Sequence, residues 1–325
     1  MVIYGSVHYK NFSFRREGEQ RMDGTKIGFF GLGVMGGPMA VNMGKKGSEE
    51  IVAFVRDKHK AVKYVEQGIV TTVSVKEISE AAVIFLSLPD GDVVEEIVLG
   101  SEYLFRYLEP GQVIVDLSTS DYGITVKIGK ALQEKGIHFL DAPVSGMEQR
   151  ARDGTLAVMC GGEREVFDAV RPYLERIGNT IEYMGETGSG QLVKLINQVL
   201  YDMNVASLVE MLALSRGMGL DPHKVGCIVN SGTGRSFASE FFIPRILKNE
   251  FSEGYPLEKA YKDIVSAFKI SGDMKLPLPV FNAAAAVFQA ALLEGHGSEN
   301  KGAMIKVYEE LYGVEFRTGK TQKKE

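Results

Sequence analysis

The stretch GFFGLGVMGGPMA, residues 28–40, sets Gly31, Gly33 and Gly36 between a short apolar run and a helical pattern. A G-x-G-x-x-G spacing at a strand-to-helix junction reads as a dinucleotide-binding turn. Gly31 would make the tight turn, Gly33 would let the backbone approach a pyrophosphate, and Gly36 would allow close packing of helix on strand. Leu32, Val34 and Met35 complete the turn, and the helix that follows offers free N–H groups and a positive dipole end to phosphates. The competing reading is a glycine-rich structural turn, and the strand-to-helix context argues against it.

Working outward, apolar runs alternate with helical patterns: KIGFFGL, IVAFV, AAVIFLSLP and GQVIVDLS are each followed by a helix. Strands that are apolar throughout and separated by helices predict parallel pairing with both faces covered. Shorter strands at IHFLDAP, TLAVMCG and TIEYMG extend the sheet. The expectation is a Rossmann-type, doubly wound α/β domain over residues 25–185, preceded by a poorly ordered extension at 1–24.

After GETGSG the pattern changes. From Gln191 to Arg216 there is no proline, and apolar residues occupy most faces, which predicts one long buried helix. Further helical segments at 221–229, 260–272, 279–293 and 302–312 make an all-α second domain over 186–316, with a solvated polar tail at 317–325. The long apolar helix also predicts a homodimer or homotetramer.

The second strand bears on the cofactor, because NAD sites usually end it with a carboxylate and NADP sites offer Arg to the 2′-phosphate. It ends AFVRD, with Val55 where the acid is expected and Arg56 next. NADP is the preferred expectation and NAD the alternative. Asp57 is either that carboxylate, in a longer strand, or the cap of the next helix.

Composition excludes several classes. The chain has 325 residues, 45% hydrophobic and 24% charged, with 42 acidic against 37 basic side chains and a net charge of -5. That balance does not suggest a nucleic-acid binder. No apolar stretch reaches the length of a membrane helix. Residues 1–24 lack the apolar core of a secretory signal. Cys160 and Cys227 are far apart and the five histidines are scattered, so no metal is expected, and a reducing cytoplasmic compartment is.

Four motifs in order, GLGVMGGPMA, DLST at 116–119, DAPVSG at 141–146 and GSGQLVKLIN at 188–197, resemble the β-hydroxyacid dehydrogenases, the group that includes 3-hydroxyisobutyrate dehydrogenase. The resemblance covers residues 25–315. It implies hydride transfer between nicotinamide and the hydroxyl-bearing carbon of a small carboxylate-bearing substrate. It implies further that Ser145 and the backbone at Gly146 bind the substrate carboxylate and that Lys194 is catalytic. By the same likeness, Ser118 and Thr119 lie at the nicotinamide end, Leu88 and Pro89 beside the nucleotide, and Lys262 with Asp263 on the cofactor side.

The chain departs from the family pattern in several places. The family's Asn one turn beyond the lysine is replaced by Gln198, with Asn197 before it. Met147 stands where many members have a second glycine, and Arg150 where a small residue is usual. Asn300 and Gly302 stand where Asp and Ser are expected. Arg150 is read either as a surface arginine or as a group for a second substrate anion. The loop NSGTGRSF, 230–237, is read either as an interhelical turn or as a site where Arg235 or Ser236 meets substrate.

The lysine also makes sense from chemistry alone. Hydride leaving a carbinol carbon needs a group to take up the hydroxyl proton, and the reverse reaction needs one to supply it. A lysine with a reference pKa of about 10.4 serves near neutral pH only when burial or positive charge lowers that value. Gly188 and Gly190 are expected to leave room for nicotinamide and substrate. The alternatives are a lysine that snorkels to solvent, an imine reductase or a non-catalytic NADP-binding scaffold. A 6-phosphogluconate dehydrogenase would need a larger helical domain.

Overall fold

A computed structural model describes residues 26–317, except 58, 60 and 61. They fall into two compact units divided between Lys194 and Leu195.

The strands of the first unit are β1 (Lys26–Phe30), β2 (Glu50–Phe54), β3 (Val70–Thr72), β4 (Val83–Leu86), β5 (Val113–Asp116), β6 (His138–Asp141), β7 (Val144–Ser145), β8 (Leu156–Gly162) and β9 (Gly178–Gly185). Its helices are α1 (Gly36–Lys45), α2 (Val62–Val65), α3 (Val75–Ser79), α4 (Gly91–Leu99), α5 (Leu104–Tyr107), α6 (Tyr122–Glu134), α7 (Met147–Asp153) and α8 (Arg164–Leu174). The first six strands are parallel in the order β3-β2-β1-β4-β5-β6, the order of doubly wound dinucleotide-binding sheets. The apolar runs at β4 and β5 are buried along their whole length, as strands with helices on both faces require.

The far edge of the sheet is mixed. β8 runs antiparallel to β6 and β7 and parallel to β9. The link from β7 to β8, with α7 in it, is short for a parallel crossover, so the chain reverses instead. β3 and β7 were not among the expected strands: they have three and two residues.

The helix α9 (Ser189–Gly217) is one 29-residue segment, and the division between the units falls inside it. It is followed by α10 (Pro222–Ser231), α11 (Phe237–Leu247), α12 (Leu257–Asp273), α13 (Pro279–Leu293), a 3-10 turn at Lys301–Met304 and α14 (Ile305–Tyr312). The regular elements of the second unit's described residues are all helices, apart from an isolated bridge between Pro256 and Asn300, and they surround a core that includes Val209, Leu212, Phe242, Ile246, Phe288 and Phe316. α11 was not expected, and Pro244 in its interior is the local reason.

Candidate active site

The glycine turn begins where β1 ends. Gly31 has φ +96, and a Cβ there would fall 2.0 Å from the Ser87 carbonyl oxygen, so only glycine fits. Gly36 packs against the Gly31 carbonyl, whereas the space beside Gly33 is open. Leu32 and Met35 lean on the core, Val34 is exposed, and Met35 supplies no side-chain cap to the N–H groups that open α1. This is a cradle a phosphate fits: open backbone at Gly33 and uncapped donors behind it.

At the end of β2, Val55 is buried and its N–H bonds the Thr72 carbonyl at 2.9 Å. Asp57 accepts the His59 N–H at 3.0 Å, which closes the turn after the strand. Arg56 is exposed beside it.

The loops after β4, β5 and β6 converge on the first turn of α9. Ser118 Oγ accepts the Leu88 N–H at 2.8 Å, and the Ser118 N–H donates to Asp116 Oδ1 at 2.9 Å. Ser120 Oγ donates to Asp116 Oδ2 at 3.2 Å. The Gln191 side chain spans the same loop, accepting the Ser120 N–H at 3.1 Å through Oε1 and donating to the Ser118 carbonyl at 2.9 Å through Nε2. Asp141 takes the Gly188 N–H on Oδ1 at 2.6 Å and the Gln191 N–H on Oδ2 at 3.0 Å.

Asp116, Ser118, Asp141 and Gln191 are all buried, and the two aspartates are register partners on adjacent strands. Burial pushes the Asp141 carboxyl up to about 7, against the lowering effect of its two N–H donors and with the Asp116 charge adding to the rise. Burial likewise raises Asp116, opposed by its bonds to Ser118 and Ser120. The neighbouring Cys160 thiol is pushed up to about 12 by burial and by the Asp141 charge. Sequence reasoning missed Asp116, Ser120, Asp141 and Gln191 as a group. The available signal was an aspartate ending each of two apolar runs, ahead of the ST and AP of their motifs.

Lys194 lies one turn beyond Gln191 and is 7% exposed. Gly188 and Gly190 have a different purpose from the one expected. A Cβ on Gly190 would stand 2.3 Å from the Met159 carbonyl oxygen and 2.8 Å from Asp141 Oδ2, and Gly188 has φ +95 against the Tyr122 ring. They admit the close approach of α9 to the sheet rather than leaving empty space.

Ser145 ends β7 opposite Ala157 on β8. Gly146 follows with φ +144 and Met147 with φ +62, a left-handed conformation unusual for a side chain of that size. Arg150 is exposed, and its stem lies across Gly146. Thr119 is half-buried beside Ser118, and after β4 Leu88 is half-buried and Pro89 exposed.

In the second unit Asn197 is exposed, while Gln198 is half-buried and donates to Asp263 Oδ2 at 3.3 Å. Lys262 is half-buried beside Asp263. Ser236 caps α11 in a box with Ser239, and Arg235 pairs with Glu240, so the 230–237 segment is organised as a helix start. Asn300 caps the 3-10 turn through Gly302 and donates to the Glu250 and Glu253 carbonyls. Lys301 forms a buried ion pair with Asp202, which sequence reasoning did not anticipate.

Residues 26–185 match the NAD-binding domain of 6-phosphogluconate dehydrogenase, and residues 188–308 match the NAD-binding domain of NADP-dependent 3-hydroxyisobutyrate dehydrogenase. The chain is 36% identical to 2-(hydroxymethyl)glutarate dehydrogenase of Eubacterium barkeri, over 90% of this chain and 98% of that one. The chain belongs to the β-hydroxyacid dehydrogenase family.

A second relative in this family is 2-hydroxy-3-oxopropionate reductase of Escherichia coli K12, 31% identical over 87% of this chain and 97% of that one. Among solved structures, 3-hydroxyisobutyrate dehydrogenase of Mycobacterium tuberculosis superposes with a TM-score of 0.77 at 26% identity, covering 87% of this chain and 98% of the other. This β-hydroxyacid dehydrogenase is therefore an oxidoreductase acting on hydroxyl groups, with an NAD(P)-binding Rossmann domain. Among the described residues no His, Cys, Asp and Glu cluster could hold a metal ion, and no helix is long and apolar enough to cross a membrane.

Proposed function

We propose that the protein transfers hydride between NADP and a small β-hydroxy acid or its semialdehyde, with Lys194 as general acid and base. The observation that carries this reading is a buried lysine one turn beyond a helix start bonded to the loop after β5. When bound, the nicotinamide supplies the hydride acceptor or donor. Lys194 Nζ takes up the hydroxyl proton as the alcohol is oxidised and returns it to the carbonyl oxygen in the reverse direction.

Coenzyme binding is assigned to Gly31, Leu32, Gly33, Val34, Met35, Gly36, Leu88, Pro89, Ser118, Thr119 and Lys262, with Arg56 selecting the 2′-phosphate of NADP. The substrate carboxylate is assigned to Ser145 and the backbone at Gly146, its flank to Met147, and its hydroxyl side to Asn197 and Gln198. Arg150, with its stem across Gly146, suits a second anionic group, and the likeness to a dehydrogenase named for a dicarboxylate favours that choice. The free thiols of Cys160 and Cys227 suit a reducing cytoplasm.

Ile196, Leu200, Met211 and Leu214 are exposed on α9 and fall within about 60° of one another around the helix, an apolar stripe suited to a homodimer or homotetramer. Light scattering that shows only monomer at micromolar concentration would reject this assembly.

The deciding experiment follows NADPH and NADH oxidation by wild type and Lys194→Ala, with succinic, methylmalonic and tartronic semialdehydes, glyoxylate and 3-sulfolactaldehyde. NADP reduction with 2-(hydroxymethyl)glutarate tests the dicarboxylate. Expected is a loss of about 100-fold or more in kcat for the alanine variant with coenzyme affinity retained. Coenzyme binding without turnover of any of these compounds would favour the scaffold.

A further inference from the structure

We propose that Asp141 and Gln191 are the positioning residues of Lys194, locking the first turn of its helix onto the loop after β5. This rests on the reading of Lys194 as the proton-transfer group. The first N–H groups of a helix have no partner within it and must find acceptors elsewhere. In α9 they find one carboxylate from far back in the chain: Asp141 receives Gly188 N–H and Gln191 N–H, one on each oxygen. An acidic group at a helix N-terminus also gains from the helix dipole.

Gln191 then uses both ends of its side-chain amide on the Ser118–Ser120 backbone, accepting from one residue and donating to the other. The turn is therefore held at four hydrogen bonds, all to unit-one atoms that are themselves buried or half-buried. The glycines confirm how tight the fit is. A Cβ on Gly161 would come within 2.7 Å of Asp141 Oδ1 and 2.8 Å of the Gly190 nitrogen. No slack is left for the turn to slide or rotate.

Lys194 stands three residues after Gln191, on the neighbouring turn, so a displacement of the first turn is carried directly to its Nζ. Asp141 also opens the segment that leads to Ser145 and Gly146. Asp141 thus relates the lysine's helix to the segment that leads to β7, and Gln191 relates it to the loop at Ser118. Misplacing a reacting group by about 1 Å costs on the order of 100-fold in rate.

The test compares Asp141→Ala, Asp141→Asn, Gln191→Leu and Lys194→Ala in the full chain. Readouts are kcat and KM, the kcat pH profile, NADPH affinity by fluorescence, and acetylation of individual lysines by acetic anhydride read by mass spectrometry. Expected for Asp141→Ala and Gln191→Leu is a fall of about 100-fold in kcat, with NADPH affinity within about threefold and a shifted pH profile. Asp141→Asn keeps one acceptor oxygen and falls less. Acetylation of Lys194 rises about tenfold as its turn loosens, while the buried Lys301 is unchanged.

Gln191→Leu keeps the Asp141 cap and carries the test if Asp141→Ala does not fold. Variants with wild-type kcat and wild-type Lys194 labelling overturn the proposal, as does labelling that rises equally at Lys301, which marks general loosening. If Lys194→Ala itself keeps full kcat, the reading of the lysine fails. The labelling then still reports whether the two residues hold its position.

Discussion

Gln198 donates its side-chain amide to the buried carboxylate of Asp263 at 3.3 Å, joining α9 to α12. The residue that departs from the family's usual Asn has therefore found a protein partner that its extra methylene helps it reach. Gln198→Asn draws the amide back and leaves Asp263 with one donor fewer, at a cost of about 1–2 kcal/mol for a buried charged acceptor. The thermal midpoint is expected to drop by roughly 2–4 °C. A Gln198→Asn protein that melts with the wild type would show that this bond contributes nothing to stability.

Asp116 and Asp141 make a second prediction, in pH. The Asp141 carboxyl is raised from 3.8 to about 7, by burial first and then by the charge of its strand neighbour, against its N–H donors. An acid with a raised folded pKa binds its proton more tightly when folded. Its contribution is complete below the unfolded pKa near 3.8 and is lost as the pH rises through about 7. Urea midpoints should fall from about pH 5 to about pH 8 in wild type and fall less steeply in Asp141→Asn, which cannot titrate. Equal slopes in the two proteins would contradict the assignment.

The parts of this fold that were legible in the sequence are those dictated by local pattern. The runs at β1, β2, β4 and β5 and the glycine turn announce themselves because buried parallel strands are apolar throughout and because the turn needs its glycines. β3 is three residues long and begins exposed, so it has too little pattern to read. The antiparallel sense of β8 is equally invisible, because TLAVMCG has the composition of a parallel strand. The Asp141 and Gln191 contacts span 47 to 73 residues of sequence, and no local rule pairs them. Gly188 and Gly190 show the limit most clearly. Their requirement was legible, but its cause, the approach of α9 to Met159 and Asp141, exists only in three dimensions.

A third prediction concerns the buried pair of Lys301 and Asp202, where the ammonium also sits 4.7 Å from the centre of the Tyr201 ring. Removing the ammonium takes from the buried Asp202 carboxylate the cation it is bonded to, so Lys301→Met is expected to lose about 3–5 kcal/mol. The double variant Lys301→Met with Asp202→Leu should recover most of that loss, since an apolar pair of similar volume carries no desolvation penalty. Chemical denaturation of the three proteins measures the coupling. Additive losses in the double variant would show that the two side chains do not act as a pair.

Met147 carries the last prediction, because it departs from the family's usual glycine in both shape and backbone. It holds φ +62 directly after Gly146 at φ +144, and its side chain is 43% exposed. A side chain in the left-handed region costs about 1–2 kcal/mol, which glycine does not pay. Glycine in turn costs up to about 1 kcal/mol through the freer unfolded chain. With little burial to lose, Met147→Gly is expected to gain about 0.5–1 kcal/mol, whereas Met147→Ala keeps the strained backbone and gains nothing. Paired unfolding curves distinguish these outcomes, and an alanine variant as stable as the glycine one would show that strain is not what separates them. The same substitution removes an exposed side chain two residues after Ser145. A rise in kcat/KM for substrates with a larger β-substituent, at constant NADPH affinity, would tie Met147 to substrate choice as well as to backbone strain.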